Sequence, residues 1–354
     1  MVVHHSRPYN AEPPPAALAG LPITPLDTFY GRNHGTVPEL DPATWRLTVD
    51  GMLDRPLTLS LDELRATFPE RTVVATLQCA GNRRAGLTRV RDIPGEDPWG
   101  PGATSTASWT GVRLADVLAH AGLRPGAAHI AFTAPDVNEQ GGPREPYAGS
   151  VPTAKATSGE VLLAWAMNGR PLPLVHGAPL RVVVPGWIGA RSVKWLERVT
   201  AQREPSAGYF QAVAYRVLPP EADPGTAGPG DGISLGPVAL NSAILRPGDG
   251  ERLHAGPVEV TGYAYAGDDR EVARVDVSLD DGRTWAQAGL DRPDGSWAWQ
   301  HWRLTLDLPE GRSAITVRAW DTTGAAQPEH ACHLWNPKGY ANNSWDRITV
   351  TCGA

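Results

Sequence analysis

Near the middle of the chain lies a segment that cannot belong to a hydrophobic core. Residues 219–236 read PPEADPGTAGPGDGISLG, which is rich in Pro, Gly and Asp and poor in large apolar side chains. Such a composition is typical of the connection between two domains. The chain has 354 residues, whereas single hydrophobic cores stop growing near ~250–300 residues. The sequence therefore predicts two domains, residues 1–235 and residues 236–354.

The first predicted domain mixes helices with strands and is of the α+β class. Ser60 stands three residues before Glu63 and just ahead of the apolar Leu64, which is the pattern of a capping box at the start of a helix. Short runs rich in β-branched residues and bounded by turn residues indicate strands. Strands are predicted at Trp45–Gly51, Arg71–Gln78 and Leu180–Val184, and helices after Ser60, at Leu114–Ala121 and at Glu160–Met167.

The second predicted domain has a different pattern. Arg274–Leu279 alternates polar and apolar residues, and the turn sequence Asp-Asp-Gly follows at 280–282. Trp302–Leu308 and Ile315–Asp321 alternate in the same way. Short alternating strands separated by Gly, Asp and Pro turns predict an all-β sandwich of the immunoglobulin-like type. Such a fold does not by itself indicate a reaction.

Charge and composition exclude several classes of function. The formal net charge is −6, which argues against non-specific binding to nucleic acid. No apolar run approaches the ~18–20 residues that span a bilayer. Residues 1–15 are polar and rich in Pro, without the pattern of a signal peptide or a twin-arginine pair. We therefore expect a cytoplasmic protein that binds neither nucleic acid nor membrane.

The segment Thr76–Arg84 (TLQCAGNRR) has the clearest chemical character. It places Cys79 at the end of a predicted strand, just before two arginines, and neighbouring positive charge lowers the pKa of a thiol. A thiolate is a ligand for soft metals or a nucleophile. On chemistry alone the alternative is strong, because a lone Cys is more often a small buried apolar residue.

Leu77–Arg84 resembles the molybdenum-binding signature of the sulfite oxidase family, in which the cysteine is the one protein ligand to the metal. Three further segments resemble that family in the same order along the chain. They are Phe29–His34 (FYGRNH), which would contact the cofactor, His176–Trp195, which would grip the molybdopterin phosphate, and Trp335–Trp345 (WNPKGYANNSW), which would donate a cation to the active site. The resemblance implies a molybdopterin-binding catalytic domain over residues 1–235 and an immunoglobulin-like dimerisation domain over residues 236–354.

A molybdenum–molybdopterin cofactor is implied by this resemblance, with Cys79 as the metal ligand. The physical chemistry agrees, because a phosphate needs hydrogen-bond donors and positive charge. Arg181 stands in an apolar run, where an unpaired charge would be costly. Plain alternatives are a surface arginine for Arg181, a turn aspartate for Asp136 and a polar loop for 32–34. The implied cofactor-binding residues are Tyr30, Gly31, Arg32, Asn33, His34, Asp136, His176, Arg181, Ser192, Val193 and Lys194.

The resemblance also implies the residues of a substrate site. Sulfite is a small anion, so cations are required, and these would be Arg32, Arg84 and Lys338. Trp99 would form a wall and Tyr215 would hydrogen-bond near the metal. Many relatives have Arg where this chain has Lys338, and a Lys keeps the charge but loses the bidentate geometry. Many relatives also have an acidic residue at the position of Ala214, next to Tyr215.

The implied reaction is the two-electron oxidation of sulfite to sulfate, with electrons passed to an external acceptor such as a cytochrome. Nitrate reduction or another oxygen transfer at the same cofactor is the alternative, as are methionine sulfoxide reduction and a metal-free binding module. The second domain is also rich in Trp, which suggests apolar surface beyond the needs of one small core. We therefore expect a homodimer formed through residues 236–354. The alternative is that the tryptophans fill the sandwich core and the interface between the domains. The tryptophans are Trp285, Trp297, Trp299, Trp302 and Trp320.

Overall fold

The computed structural model describes residues 1–353, and they are mainly β-structure with short helices. Residues 1–235 contain the strands β1 Val2–Ser6, β2 Tyr9–Glu12, β3 Leu47–Gly51, β4 Leu57–Leu59, β5 Glu70–Gln78, β6 Thr104–Arg113, β7 His129–Val137, β8 Pro146–Pro152, β9 Leu162–Met167, β10 Arg170–Pro171, β11 Arg181–Val183, β12 Arg198–Gln202, β13 Arg216–Val217 and β14 Ile233–Ser234. The α-helices are α1 Leu61–Thr67, α2 Arg84–Thr88, α3 Leu114–Ala121 and α4 Thr153–Ala156.

Two sheets organise this first part, the first antiparallel and the second mixed. One has the strand order β10-β9-β6-β5, with β11 also paired to β9, and the other has the order β4-β3-β12-β7-β8. Strand β12 runs parallel to β3 and antiparallel to β7. Helix α1 begins as the sequence predicts, because the Ser60 hydroxyl accepts a hydrogen bond from the Glu63 N–H and the Glu63 carboxylate accepts one from the Ser60 N–H. Helix α3 ends at Gly122, which adopts a positive φ of 75°.

The helix predicted at Glu160–Met167 is wrong, because Leu162–Met167 forms strand β9. The segment LLAWAM contains good helix formers, which favoured the helix. In the structure β9 pairs with β6, β10 and β11, and Leu162, Leu163 and Ala164 are fully buried. A strand that is covered on both faces does not alternate polar and apolar residues, so its sequence shows no period of two.

The second part is the predicted sandwich of two sheets. Its strands are β15 Asn241–Arg246, β16 Arg252–His254, β17 Gly256–Tyr265, β18 Val272–Ser278, β19 Ala286–Gln287, β20 Gly289–Leu290, β21 Gln300–Leu308, β22 Gly311–Asp321 and β23 Asp346–Gly353. The sheet orders are β15-β17-β21-β20 and β16-β23-β22-β18-β19. The apolar inner faces of the two sheets share one core, which includes Val260, Val275, Trp302 and Val317. The predicted α+β region followed by an all-β sandwich is confirmed.

The two parts are in intimate contact. Arg83 donates hydrogen bonds to Asn241 and to the Ser344 carbonyl, and it forms an ion pair of 3.0 Å with Asp346. Tyr263 donates to the Pro101 carbonyl. The division after residue 235 stays a prediction. Among the described residues, no helix combines the length and the apolar character needed to cross a bilayer.

Candidate functional site

Cys79 follows directly after β5, where the strand ends beside a cavity. Its backbone N–H donates to the Ala103 carbonyl, and its sulfur accepts a hydrogen bond from the Gly81 N–H over 3.4 Å. Burial raises the pKa of the Cys79 thiol, although Arg32 and Arg84 act to lower it. The depressed pKa that the neighbouring arginines suggested is therefore not found, because the loss of hydration outweighs the nearby positive charge. Coordination to a metal would itself remove the proton.

A cavity open to solvent lies beside Cys79. Its wall brings together segments far apart in the sequence. Tyr215 and Cys79 line it, together with every residue that the sequence suggested for cofactor binding. Those are Tyr30, Gly31, Arg32, Asn33, His34, Asp136, His176, Arg181, Ser192, Val193 and Lys194.

Arg181 is a buried cation held by carbonyl groups. It donates to the carbonyl oxygens of His176 over 2.8 Å and of Ser192 over 3.0 Å, and its guanidinium lies over the ring of Trp109. Burial lowers the pKa of Arg181 to about 10, so the side chain keeps its charge near neutral pH. Burial also lowers the pKa of His176 to about 3, so this imidazole is neutral near neutral pH. A neutral imidazole has one nitrogen that donates and one that accepts a hydrogen bond, and both could serve a ligand in the cavity.

Lys194 is a second cation at this end of the cavity, and it is half-buried. Its ammonium donates to the carbonyl oxygens of Arg32 and Val175 and to the side chain of Asn33. Burial lowers the pKa of Lys194, and the charge of Arg181 lowers it further, while Asp136 opposes the change. The pKa of Asp136 changes in the opposite direction, because burial raises it.

The positive charge around the cavity is not balanced by ion pairs. Within residues 1–353, no carboxylate lies within 4.0 Å of the charged groups of Arg32, Arg181 or Lys194, and Asp136 is the acidic residue on the cavity wall. Buried charges without a partner are costly, so an anionic group such as a phosphate would complete this site. The described residues also contain no cluster of three or more His, Cys, Asp or Glu side chains that could hold a metal.

Tyr215 and His34 form a hydrogen-bonded pair on the cavity wall. Tyr215 follows a π-helical turn, Phe210–Ala214, and its hydroxyl lies 2.7 Å from Nε2 of His34. Burial raises the pKa of Tyr215. Burial, together with Arg32 and Lys194, holds the pKa of His34 well below its usual value. The pair is therefore a protonated phenol and a neutral imidazole, and the imidazole tautomer decides whether the phenol proton points to His34 or into the cavity.

The remaining predicted substrate residues lie behind this wall. Arg84 is 2% exposed, and its Nε donates to the carbonyl of Lys338 over 3.0 Å. The ammonium of Lys338 donates to the carbonyl oxygens of Val213 and Ala214, just before Tyr215. Trp99 is fully buried and packs edge-on against His4 at 4.6 Å between ring centroids. None of Arg84, Lys338 and Trp99 lines the cavity, so the structure does not place Trp99 as an exposed wall.

Two residues of this region were missed by the sequence reasoning. Tyr147 lines the cavity and stacks on Phe210 at 4.4 Å between centroids. Glu12 is buried, and its carboxylate accepts hydrogen bonds from the N–H groups of Gly100 and Gly102, which follow Trp99 in the loop. Neither carries a local signal, because the contact of Glu12 with this loop joins residues about ninety positions apart.

Comparison with known proteins gives matches along almost the whole chain. The family described as "Oxidoreductase molybdopterin binding domain" matches residues 34–210, and the "Mo-co oxidoreductase dimerisation domain" matches residues 235–353. The mitochondrial sulfite oxidase of Homo sapiens is 45% identical over 359 residues, covering 98% of this chain. This chain spans 65% of the length of that relative.

A plant relative and a solved structure agree with these matches. The sulfite oxidase of Arabidopsis thaliana is 37% identical over 374 residues, which covers 99% of this chain and 94% of the relative. Among solved structures, the sulfane dehydrogenase SoxCD from Paracoccus pantotrophus superposes with a TM-score of 0.83 at 27% identity. That superposition covers 98% of this chain and 85% of the other. The similarity therefore extends over both parts of the fold.

Proposed function

Because the chain belongs to the sulfite oxidase family of molybdopterin-dependent oxidoreductases, we propose that it oxidises sulfite to sulfate. The observation that carries the proposal is one cavity that combines the Cys79 thiol with the buried Arg181 and the half-buried Arg32 and Lys194, none of which has an ion-pair partner. The family's cofactor is molybdenum–molybdopterin, which when bound supplies oxygen-atom transfer and accepts two electrons. Cys79 would hold the metal, and Arg181, Lys194 and the backbone around Ser192 would hold the phosphate.

The other residues of the cavity have separate tasks in this proposal. Arg32 lines the cavity and brings positive charge toward a bound anion. Tyr215 and His34 share a hydrogen bond. Because the pKa of Tyr215 is raised and that of His34 is lowered, both side chains stay uncharged near neutral pH. The pair can therefore orient a hydrogen bond without gaining a charge. The apolar packing of Phe210 and Tyr147 beside this pair limits access of water.

We also propose that the electrons pass to an external one-electron acceptor such as a cytochrome. The support is the net charge of −6, which complements a basic redox partner. Mixing reduced enzyme with a basic and an acidic cytochrome at low and high salt would test it. Faster reduction of the acidic carrier would contradict the charge argument.

The division after residue 235 and the cytoplasmic location are likewise proposals. The first family match ends at residue 210 and the second begins at residue 235, which supports the division. Limited proteolysis within residues 219–236 would test it, because two stable fragments are expected. Fractionation of cells that express the protein would test the location.

The proposed function predicts that the purified protein contains close to one molybdenum per chain and reduces an artificial acceptor when sulfite is added. The measurement is metal analysis together with steady-state kinetics. Nitrate with a reduced dye serves as the comparison, since nitrate reduction is the alternative at the same cofactor. Faster turnover of nitrate than of sulfite would overturn the substrate assignment, and absence of molybdenum would favour a binding module.

We further propose a homodimer formed through residues 236–354, which is supported by the match to a dimerisation domain. Trp299 and Trp302 are buried within the chain and are not available to a partner, whereas Trp285, Trp297 and Trp320 are partly exposed. We expect light scattering to give twice the 37.8 kDa mass of one chain. A mass of one chain at micromolar concentration would reject the dimer.

A further inference from the structure

Glu96 is an acidic residue next to the predicted substrate cations. It lies on the loop between α2 and β6, and its carboxylate forms an ion pair of 3.1 Å with Nη2 of Arg84. The side chain of Arg84 is 3% exposed and that of Glu96 is 27% exposed. Glu96 therefore contacts a buried cation from its solvent-facing side.

The other nitrogens of the Arg84 guanidinium are engaged within the protein. Nε donates to the Lys338 carbonyl over 3.0 Å, and Nη1 donates to the Asp97 carbonyl over 2.7 Å. Nη2 faces Glu96 and also lies against Gly81, because a Cβ added to that glycine would be 2.6 Å from it. The Gly81 N–H in turn donates to the sulfur of Cys79. The Arg84 guanidinium therefore packs against the Cys79 loop, and the Glu96 carboxylate occupies its Nη2.

The negative charge of Glu96 also reaches the other cations of the predicted substrate site. Burial lowers the pKa of Lys338, and Glu96 opposes that change. Burial acts to lower the pKa of Arg32, but nearby acidic side chains, Glu96 among them, raise it overall. One carboxylate therefore acts on all three cations that the resemblance assigned to the substrate.

A carboxylate and a sulfur oxyanion satisfy a guanidinium in the same way, through charge-assisted N–H···O hydrogen bonds. The Glu96 carboxylate and the substrate anion would therefore compete for hydrogen bonds from Nη2 of Arg84. Two neighbouring anions also repel each other. We propose that Glu96 is an internal competitor for the substrate, which occupies Nη2 of Arg84 in the absence of sulfite and is displaced when the anion binds. This inference rests on the proposed function, and it makes Glu96 a determinant of affinity for oxyanions.

The test is Glu96→Gln, which keeps an oxygen acceptor for Arg84 but removes the charge. We expect the KM for sulfite to fall roughly 3- to 10-fold, as the loss of a partly exposed charge pair suggests, while kcat changes less than about twofold. The KM should also rise more steeply with salt, because the site gains net positive charge. Glu221→Gln is the matched control, since Glu221 is exposed and the change in net charge is the same.

A second measurement separates this inference from the proposed function. Calorimetric titration with sulfate measures oxyanion binding without turnover, and we expect Glu96→Gln to bind sulfate more tightly than the wild type and Glu221→Gln. Tighter sulfate binding without sulfite turnover in any variant would support the competitor role and refute the proposed reaction. An unchanged or higher KM together with unchanged or weaker sulfate binding would overturn the role of Glu96, because a residue that simply positions Arg84 would act in that direction.

Discussion

Replacement of Cys79 by Ser is expected to abolish sulfite turnover while the fold stays intact. A serine hydroxyl is not deprotonated near neutral pH and is a poor ligand for a soft metal centre. Loss of a residue around a metal ligand costs about 10–100-fold, so loss of the ligand itself should cost more than about 100-fold. The fold should persist, because the two side chains are similar in size and the sulfur accepts one weak hydrogen bond, from the Gly81 N–H.

The measurement is sulfite-dependent reduction of an artificial acceptor, with circular dichroism as the folding control. Cys332→Ser is the matched variant, since Cys332 is an exposed free cysteine away from the cavity, and it should retain activity. Metal analysis of Cys79→Ser shows whether the cofactor is still bound through the phosphate contacts. Activity near that of the wild type would contradict the assignment of Cys79 as metal ligand.

Replacement of Lys338 by Ala is expected to raise the KM for sulfite roughly 10- to 100-fold. A charge-assisted hydrogen bond contributes about 1.5–3 kcal/mol, and ~1.4 kcal/mol is a factor of ten in an equilibrium constant. Lys338→Arg should be tolerated or should bind sulfite more tightly, because a guanidinium offers two parallel donors to an oxyanion. Higher ionic strength should raise KM in the wild type, since the attraction is partly screened.

Lys338 also supports the turn before Tyr215, and kinetics can separate this structural effect from a direct contact with sulfite. Because the Lys338 ammonium donates to the carbonyl of Ala214, its loss also frees the turn that carries Tyr215. A rise in KM with unchanged kcat indicates a direct contact with the anion, whereas a fall in kcat indicates displacement of Tyr215. Steady-state kinetics of both variants with sulfite distinguish the two effects. Unchanged sulfite kinetics in Lys338→Ala would show that neither contact matters for turnover.

Sequence patterns were sufficient where the controlling interaction is local. The capping box of α1 depends on Ser60 and Glu63, which are three residues apart, and it forms as predicted. The alternation of β18 and β21 predicted the sandwich, because each strand has one face toward the core. Three of the four segments that resemble the family's motifs line one cavity, and the fourth, Trp335–Trp345, lies behind its wall, where Lys338 contacts the Ala214 carbonyl. Their residue types could be recognised without knowing how the chain brings them together.

The sequence by itself determined the fold class of the two parts, the cysteine motif and most of the polar residues of the cavity, because these are carried by contiguous segments. Tertiary structure decided what depends on burial and on distant partners. Strand β9 forms because neighbouring strands pair with both of its edges and its side chains are buried in the core, against the helical preference of its residues. The pKa of Cys79 rises because the folded chain removes water from the thiol. Arg84 is paired with Glu96 because the loop before β6 folds back over α2, which no local pattern indicates.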